Sequence, residues 1–343
     1  MNSLSSLPPE LLRDIIESTV PHTYHSTTYR QQQFTLRSLS LVSRQFRAIA
    51  QPLLLEIVCI QSDDQLKFLL EMRDTYAECK ELILGPDASS EMIEGFLTRW
   101  KGFSSLAIER PSMDPFDLAV LVRHTTLVNL QLSGFGFDFT VRSTFTTLRS
   151  FTFDFPAMYS SVPLLLDPEV LPSLQALGLK SVTDEEELQR LGETNLSRLL
   201  PQLDVIAIHS SLYRLGIHDL FSGYSSRILV DVYHWTFDSP DHTRFLASVQ
   251  HIRIKGSTTA ANLALLALCQ ESENSSLESI YLPPEWRPSR VQSADIRTEM
   301  ERIIEDCENA GIELVFDLEP KSYLGSYISR EFWDRQRRSR DKE

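Results

Sequence analysis

The sequence predicts an α/β protein in which an N-terminal helical module precedes an irregular repeat solenoid with a parallel sheet and outer helices. Two observations lead to this class. Residues 1–54 contain two amphipathic helical patterns, and residues 55–320 repeat a short apolar phrase that is typical of strands. Residues 321–343 form a charged tail. We therefore expect three segments with these boundaries.

Composition restricts the class of protein and its partners. The chain has 343 residues, of which 42% are hydrophobic and 23% charged, so it can bury a sizeable core. A net charge of −14 disfavours binding to nucleic acid or to an anionic membrane. The four cysteines lack the spacing of a zinc site or a disulfide framework, and Pro8 and Pro9 interrupt the region where a secretory signal would be apolar. We expect no nucleic-acid or membrane partner, and a cytoplasmic or nuclear location.

The N-terminal module has two helical patterns. The first begins at Pro8 and Pro9, which suit a first helical turn, and its apolar stripe comprises Leu11, Leu12, Ile15 and Ile16. The second places one apolar face on Leu39, Val42, Phe46 and Ile49. Because two short helices bury little surface, we expect these stripes to dock on another protein.

These residues resemble the F-box, the helical module that binds the Skp-type adaptor of cullin-RING ubiquitin ligases. The family's opening pattern, Leu-Pro-x-Glu-Leu-Leu-x-x-Ile-Ile, is matched by Leu7, Pro8, Glu10, Leu11, Leu12, Ile15 and Ile16. Its closing pattern, Val-Cys-Arg-x-Trp, is met by Val42 and Arg44, with Ser43 and Phe46 replacing the Cys and Trp. An insertion at residues 21–33 makes the connection longer than usual. The sequence of this region is most similar to that of F-box proteins of higher fungi.

The resemblance implies which side chains contact the adaptor. They are Leu7, Pro8, Glu10, Leu11, Ile15, Ile16, Val42 and Phe46. The alternative is an ordinary helical hairpin packed on its own domain.

After residue 54 the phrase apolar-x-x-apolar-x-apolar recurs. Its central apolar residues stand at positions 82, 106, 130, 151, 177, 206, 230, 252, 280 and 314. The steps run from 21 to 29 residues, with a last step of 34. The last two apolar positions of each phrase alternate as in a strand. Helix-like segments lie between phrases at residues 90–100, 114–124, from 183, and 294–310. Such long connections predict parallel pairing.

The repeated phrase resembles the degenerate leucine-rich-repeat domains that follow many F-boxes. The asparagine expected three residues after the last apolar position is absent from every copy. A non-solenoid α/β domain with coincidental leucine spacing is the alternative.

No pattern in the sequence indicates an active site, a cofactor or a metal ion. The repeat predicts instead a concave face, on which aromatic and basic side chains could bind a target protein. The candidates are Asp231, Tyr233, Arg253, Lys255 and Tyr281. The alternative is that they belong to a solvated sheet face.

The resemblance implies a substrate-recognition subunit of an SCF-type ubiquitin ligase, which is not itself an enzyme. The F-box would bind the Skp-type adaptor and, through it, the cullin-RING ligase, while the repeats hold an unknown target protein. One alternative is a non-catalytic scaffold or interaction protein acting outside ubiquitin transfer. A hydrolase or transferase with an irregular α/β domain is the third hypothesis.

Overall fold

The computed structural model describes a mixed α/β chain with parallel sheets. The described residues are 7–19, 26–71, 79–100, 102–110, 116–134, 136–139, 143–153, 165–179, 189, 191–209, 227–232, 249–254 and 277–316. The chain divides into two compact units at Leu148 and Arg149. The expected tail, residues 321–343, lies outside the described residues.

Three helices form the N-terminal module: α1 (Pro9–Thr19), α2 (Ser26–Ser40) and α3 (Arg44–Glu56). Their buried core consists of Leu12, Ile16, Leu36, Phe46 and Ala50. The expected insertion therefore contributes residues 26–33 to a regular helix, while residues 20–25 lie outside the description.

The first unit continues with four parallel strands that pair in chain order. They are β1 (Ile57–Ser62), β2 (Glu81–Asp87), β3 (Ser105–Arg110) and β5 (Asn129–Gly134). A separate parallel pair is formed by β4 (Phe116–Asp117) and β6 (Phe137–Asp138). Helices α4 (Asp63–Glu71) and α5 (Ser90–Arg99) and a 3-10 helix, Leu118–Arg123, lie between the strands.

The second unit contains seven parallel strands, again paired in chain order. They are β7 (Ser150–Phe153), β8 (Ala176–Leu179), β9 (Val205–His209), β10 (Arg227–Val232), β11 (His251–Ile254), β12 (Ser279–Leu282) and β13 (Glu313–Phe316). Its described helices are α6 (Leu196–Leu199), α7 (Ala294–Asn309) and two 3-10 turns, Leu200–Gln202 and Pro284–Trp286.

Each of the ten repeated phrases contains a strand, and within each unit these strands pair in parallel, which confirms the predicted pairing. In the first unit Leu82, Leu106 and Leu130 pair in one row. In the second unit the central positions pair from 151 through 206 and from 230 through 314. Between β9 and β10 the register moves by two residues, because Ile206 pairs with Ile228. A two-residue step keeps side chains on the same face.

Other elements differ from the prediction. The expected boundary at residue 54 does not separate compact units, because α3 runs to Glu56 and passes directly into β1, a strand that no phrase predicted. The helix expected at 114–124 is replaced by β4 and a 3-10 helix. There Phe116 pairs with Phe137, and the Asp117 carboxylate accepts from the Ala119 N–H and caps the turn. The helices expected at 90–100 and 294–310 are α5 and α7, whereas the one from residue 183 begins outside the described ranges.

Cys79 lies two residues before β2 and is buried. Its thiol donates to the Glu81 carbonyl over 3.3 Å. Burial, which penalises the thiolate, raises the pKa of Cys79 from 9.0 to about 12. The folded protein therefore keeps this proton at a pH where the unfolded chain has lost it. The contribution of Cys79 to stability consequently falls as pH rises from 9.0 to about 12.

We predict that iodoacetamide at pH 9.5, chosen to be about half a unit above the ordinary thiol pKa, modifies Cys79 slowly in the folded protein and rapidly in urea. Peptide mapping by mass spectrometry measures both rates, with the half-buried Cys59 as the internal comparison. Equal rates for Cys79 in the folded and unfolded protein would contradict its burial.

Candidate functional site

Helix α1 carries two neighbouring apolar stripes. Leu12 and Ile16 are one turn apart and are buried in the core of the helical module. Leu11 and Ile15 precede them by one residue, which turns them by about 100° around the helix axis. Leu11 is 52% exposed and Ile15 is also exposed. The single stripe expected from the sequence therefore divides into an inward and an outward pair.

The turn between α2 and α3 presents two more apolar side chains. Leu41 is 77% exposed and Val42 is 65% exposed. The N–H of Leu41 donates to the Ser38 carbonyl, and the N–H of Val42 donates to the Leu39 carbonyl. Both residues are thus held by backbone hydrogen bonds, and their exposure is a property of an ordered turn.

Capping fixes where α3 begins. The Ser43 side chain accepts from the Phe46 N–H over 3.2 Å, as an N-cap residue does. The side chain of Gln45 donates to the Leu7 carbonyl over 3.3 Å. The start of α1 therefore lies beside the first turn of α3, at the end of the module where Val42 is exposed. We call Leu11, Ile15, Leu41 and Val42 the apolar patch.

The predicted adaptor contacts fall into two groups. Pro8, Glu10, Leu11, Ile15 and Val42 are exposed, and Leu7 is half-buried. The expectation of a surface position was wrong for Ile16 and Phe46, because both fill the core between the three helices. The sequence interpretation also missed Leu41, whose exposure depends on where α2 ends.

Basic side chains surround the α2–α3 turn. Arg37, Arg44 and Arg47 are exposed, and Arg47 donates to the Ser40 carbonyl over 3.1 Å. Within the described part of the chain none of the three forms an ion pair with a carboxylate. By contrast, Arg13 on α1 pairs with Glu17 at 2.6 Å, and this hydrogen bond raises the pKa of Arg13. The turn therefore combines apolar and positively charged surface.

The second candidate site is one face of the sheet in the second unit. Residues at paired positions of parallel strands share a face. One row aligns Asp231 with Arg253 and Tyr281, and the next aligns His251 with Ser279. The opposite face of these strands is apolar, with Ile252, Ile254, Ile280 and Leu282 buried. The polar side chains of β11 and β12 thus lie on the face opposite these four apolar residues.

The structure brings together three of the five predicted target-binding residues, but not at an open surface. Arg253 is only 8% exposed and Tyr281 is also buried. For these two residues the expected exposed face was wrong, because interior strands of a parallel sheet are covered on both faces. The backbone of Asp231 is described without its side chain, and Tyr233 and Lys255 lie outside the described residues.

His251 and Ser279 form a buried pair on this face. The imidazole Nδ1 lies 2.8 Å from the Ser279 hydroxyl, and Nε2 lies 4.0 Å from the Glu278 carboxylate. A serine, a histidine and a carboxylate are the groups of a hydrolytic triad. Here, however, both Ser279 and His251 are buried, and Ser279 stands between β11 and β13 in a paired strand. We therefore interpret the pair as a hydrogen bond that satisfies two buried polar groups.

The described residues offer neither a metal site nor a membrane-spanning helix. Among them no three His, Cys, Asp or Glu side chains lie where they could hold a metal ion. None of the helices in the described ranges is both long enough and apolar enough to cross a membrane.

Comparison with known proteins gives little. No protein-family model matches the chain, and no curated protein matches it. Among solved structures, it is similar to a Bacteroides fragilis protein from a structural-genomics programme, at 12% identity and a TM-score of 0.29. That match covers 87% of this chain and 71% of the other. A similarity at this level supports no conclusion about fold or function.

We predict that Ser279→Ala lowers the free energy of unfolding by about 1–3 kcal/mol, because it removes the hydroxyl that faces the buried His251. Ser279→Thr keeps a hydroxyl, so its free energy of unfolding should fall by less. Glu278→Gln is the control, since its exposed contact at 4.0 Å should contribute less than about 1 kcal/mol. Urea unfolding measures the free energy of unfolding of each variant. If Ser279→Ala has the wild-type value, the hydrogen bond does not stabilise the fold.

Proposed function

We propose that this chain is a substrate-recognition subunit of an SCF-type ubiquitin ligase, with the helical module docking on a Skp-type adaptor. The observation that carries the proposal is the apolar patch. Leu11, Leu41 and Val42 are exposed on an ordered module whose neighbouring residues fill its core. Exposed apolar side chains that share one surface mark interaction sites, and the hydrogen bond from Gln45 to the Leu7 carbonyl brings the start of α1 beside the turn that carries Leu41 and Val42. Two of the three, Leu11 and Val42, are positions of the F-box pattern.

The division of α1 into two stripes supports this use. Leu12 and Ile16 hold the module together, so Leu11 and Ile15 are available without unfolding it. Docking would bury them, and because Leu11 and Ile15 are already about half covered, each would gain about half of the roughly 1.5–3 kcal/mol that full burial of a large apolar side chain provides. The predicted contacts Ile16 and Phe46 would act indirectly in this proposal, by supporting the residues that touch the adaptor.

The parallel strands would form the target-binding part, as an irregular leucine-rich-repeat-like solenoid. Support comes from the pairing of strands in chain order and from the alignment of the phrase positions in rows. Because Arg253 and Tyr281 are buried, they would support the target site from within the second unit, and exposed residues of that unit would contact the target.

The proposed mechanism is proximity. The chain would hold a target near a ubiquitin-charged enzyme supplied by other subunits, which raises the effective concentration of the reacting groups. The chain would contribute binding and orientation, and no covalent step would use its side chains. This function places the protein in the cytoplasm or the nucleus.

The alternative function is a scaffold that acts outside ubiquitin transfer. The same apolar patch would then bind a partner without changing the lifetime of any protein held by the strands. The half-life of proteins that co-purify with the chain separates the two functions. Under the ligase proposal, their half-life lengthens when the apolar patch is disrupted; under the scaffold function, it does not change.

We predict that the double variant Leu11→Asp/Val42→Asp weakens binding to a purified Skp-type adaptor by at least about tenfold, because central apolar contacts dominate such interfaces. Both side chains are exposed, so the unfolding midpoint should not change. Isothermal titration calorimetry with the full chain measures the dissociation constant.

Phe68→Asp is the matched control, because Phe68 is exposed on α4, outside the helical module. It should bind the adaptor like the wild type. Adaptor binding by a folded double variant at wild-type strength would show that the apolar patch is not the docking site. No binding by the wild type would reject the adaptor function itself.

A further inference from the structure

Helix α2 has a polar sequence with a large aromatic residue on its outer side. Its inner side carries the buried Leu36, and Gln33 donates to the Leu54 carbonyl of α3 over 3.4 Å. Phe34 points away from this contact and is 73% exposed. Exposing a phenylalanine forfeits about 1.5–3 kcal/mol relative to burying it. The fold of the module therefore gives no reason for an apolar residue at this position.

The exposed residues of α2 recur at helical spacing. Together with Leu41, which directly follows the helix, they form one stripe, which we call the outer stripe: Gln31, Phe34, Arg37, Ser38 and Leu41. Phe34 and Leu41 are seven residues apart, which places them on one side of the helix about two turns, or roughly 10 Å, from each other. Leu41 is the first residue after α2, and its N–H donates to the Ser38 carbonyl three residues earlier, which is the hydrogen bond of a 3-10 turn at the end of the helix.

The outer stripe is continuous with the apolar patch. Leu41 belongs to both, and Val42 follows it directly. A partner that covers Leu41 at the α2–α3 turn therefore meets Phe34 if it extends along α2. Arg37 lies between the two apolar residues, three positions after Phe34 and four before Leu41. These separations place all three on the same helical face.

Charge indicates the chemistry of the partner. Arg37, Arg44 and Arg47 are exposed around the turn, and in the described part of the chain no carboxylate pairs with them. The whole chain nevertheless carries a net charge of −14. A local basic border around apolar side chains complements a surface with apolar pockets edged by Asp and Glu.

We infer that the adaptor-binding surface extends along the outer stripe, where Phe34 enters an apolar pocket and Arg37 pairs with a carboxylate of the partner. This inference rests on the proposed adaptor function and adds a contact that lies outside the F-box pattern. Phe34 and Arg37 would then distinguish this chain from proteins that carry the F-box pattern without a long second helix. The partner is a Skp-type adaptor with an acidic edge beside its apolar docking site.

The test uses the full chain and a purified Skp-type adaptor in calorimetric titrations. We expect Phe34→Ser to weaken binding about tenfold or more, in the range of an aromatic contact at an interface. Phe68→Ser is the matched control, since it removes an exposed phenylalanine from a helix outside the module and should leave the dissociation constant unchanged. Circular-dichroism melting should give the wild-type midpoint for both variants.

Salt dependence tests the charged contact separately. Arg37→Glu should weaken binding several-fold at low ionic strength, and the difference from wild type should shrink as salt screens the interaction. Arg13→Glu is a control on the same module, because Arg13 already pairs with Glu17 within α1.

The outcomes separate this inference from the adaptor function. If Leu11→Asp/Val42→Asp abolishes binding while Phe34→Ser and Arg37→Glu bind like wild type, the extension along α2 is wrong and the adaptor function stands. If the wild type itself does not bind the adaptor, the adaptor function fails and the extension fails with it. Weakening by both Phe34→Ser and Arg37→Glu, with unchanged Phe68→Ser and Arg13→Glu, supports the extension.

Discussion

Parallel pairing between strands that follow one another in the chain is the constraint on which both units depend. It aligns one apolar position of each strand with the same position of the next, as for Leu82, Leu106 and Leu130 in the first unit. A slip of one residue would turn every apolar side chain of a strand to the opposite face. Between β9 and β10 the register of the phrase positions changes by two residues, which keeps the faces intact.

The strands were the most predictable part of the fold, because the repeated apolar-x-x-apolar-x-apolar phrase indicates which residues are buried on one side of each strand. Strand β1 was not predicted, because it follows α3 directly and no turn residues separate the two elements. The segment at 118–123 has a helical apolar pattern, yet it forms a 3-10 helix. There the pairing of Phe116 with Phe137 and the Asp117 cap decide where the turn begins. Long-range pairing of this kind leaves no local trace in the sequence.

The candidate sites were predictable in position and not in exposure. Periodicity identified the apolar residues of α1, but the assignment of Leu12 inward and Leu11 outward depends on how α1 meets α3. Alternation correctly grouped Asp231, Arg253 and Tyr281 on neighbouring strands. It gave no information on whether that face is covered. Only packing makes Arg253 a buried residue, and packing is a property of the whole unit.

The direct passage from α3 into β1 joins the helical module to the first sheet. Lys80 bridges the junction, since its N–H donates to the Glu56 carbonyl and its ammonium group lies 2.6 Å from the Glu56 carboxylate. The helical module is therefore not structurally independent of the sheet that follows it. Removing it together with β1 would make β2, which is now paired on both sides, the edge strand of the sheet, and a strand that has not evolved as an edge can pair with another chain. Recombination that transplants this module between proteins would have to carry the first strand with it.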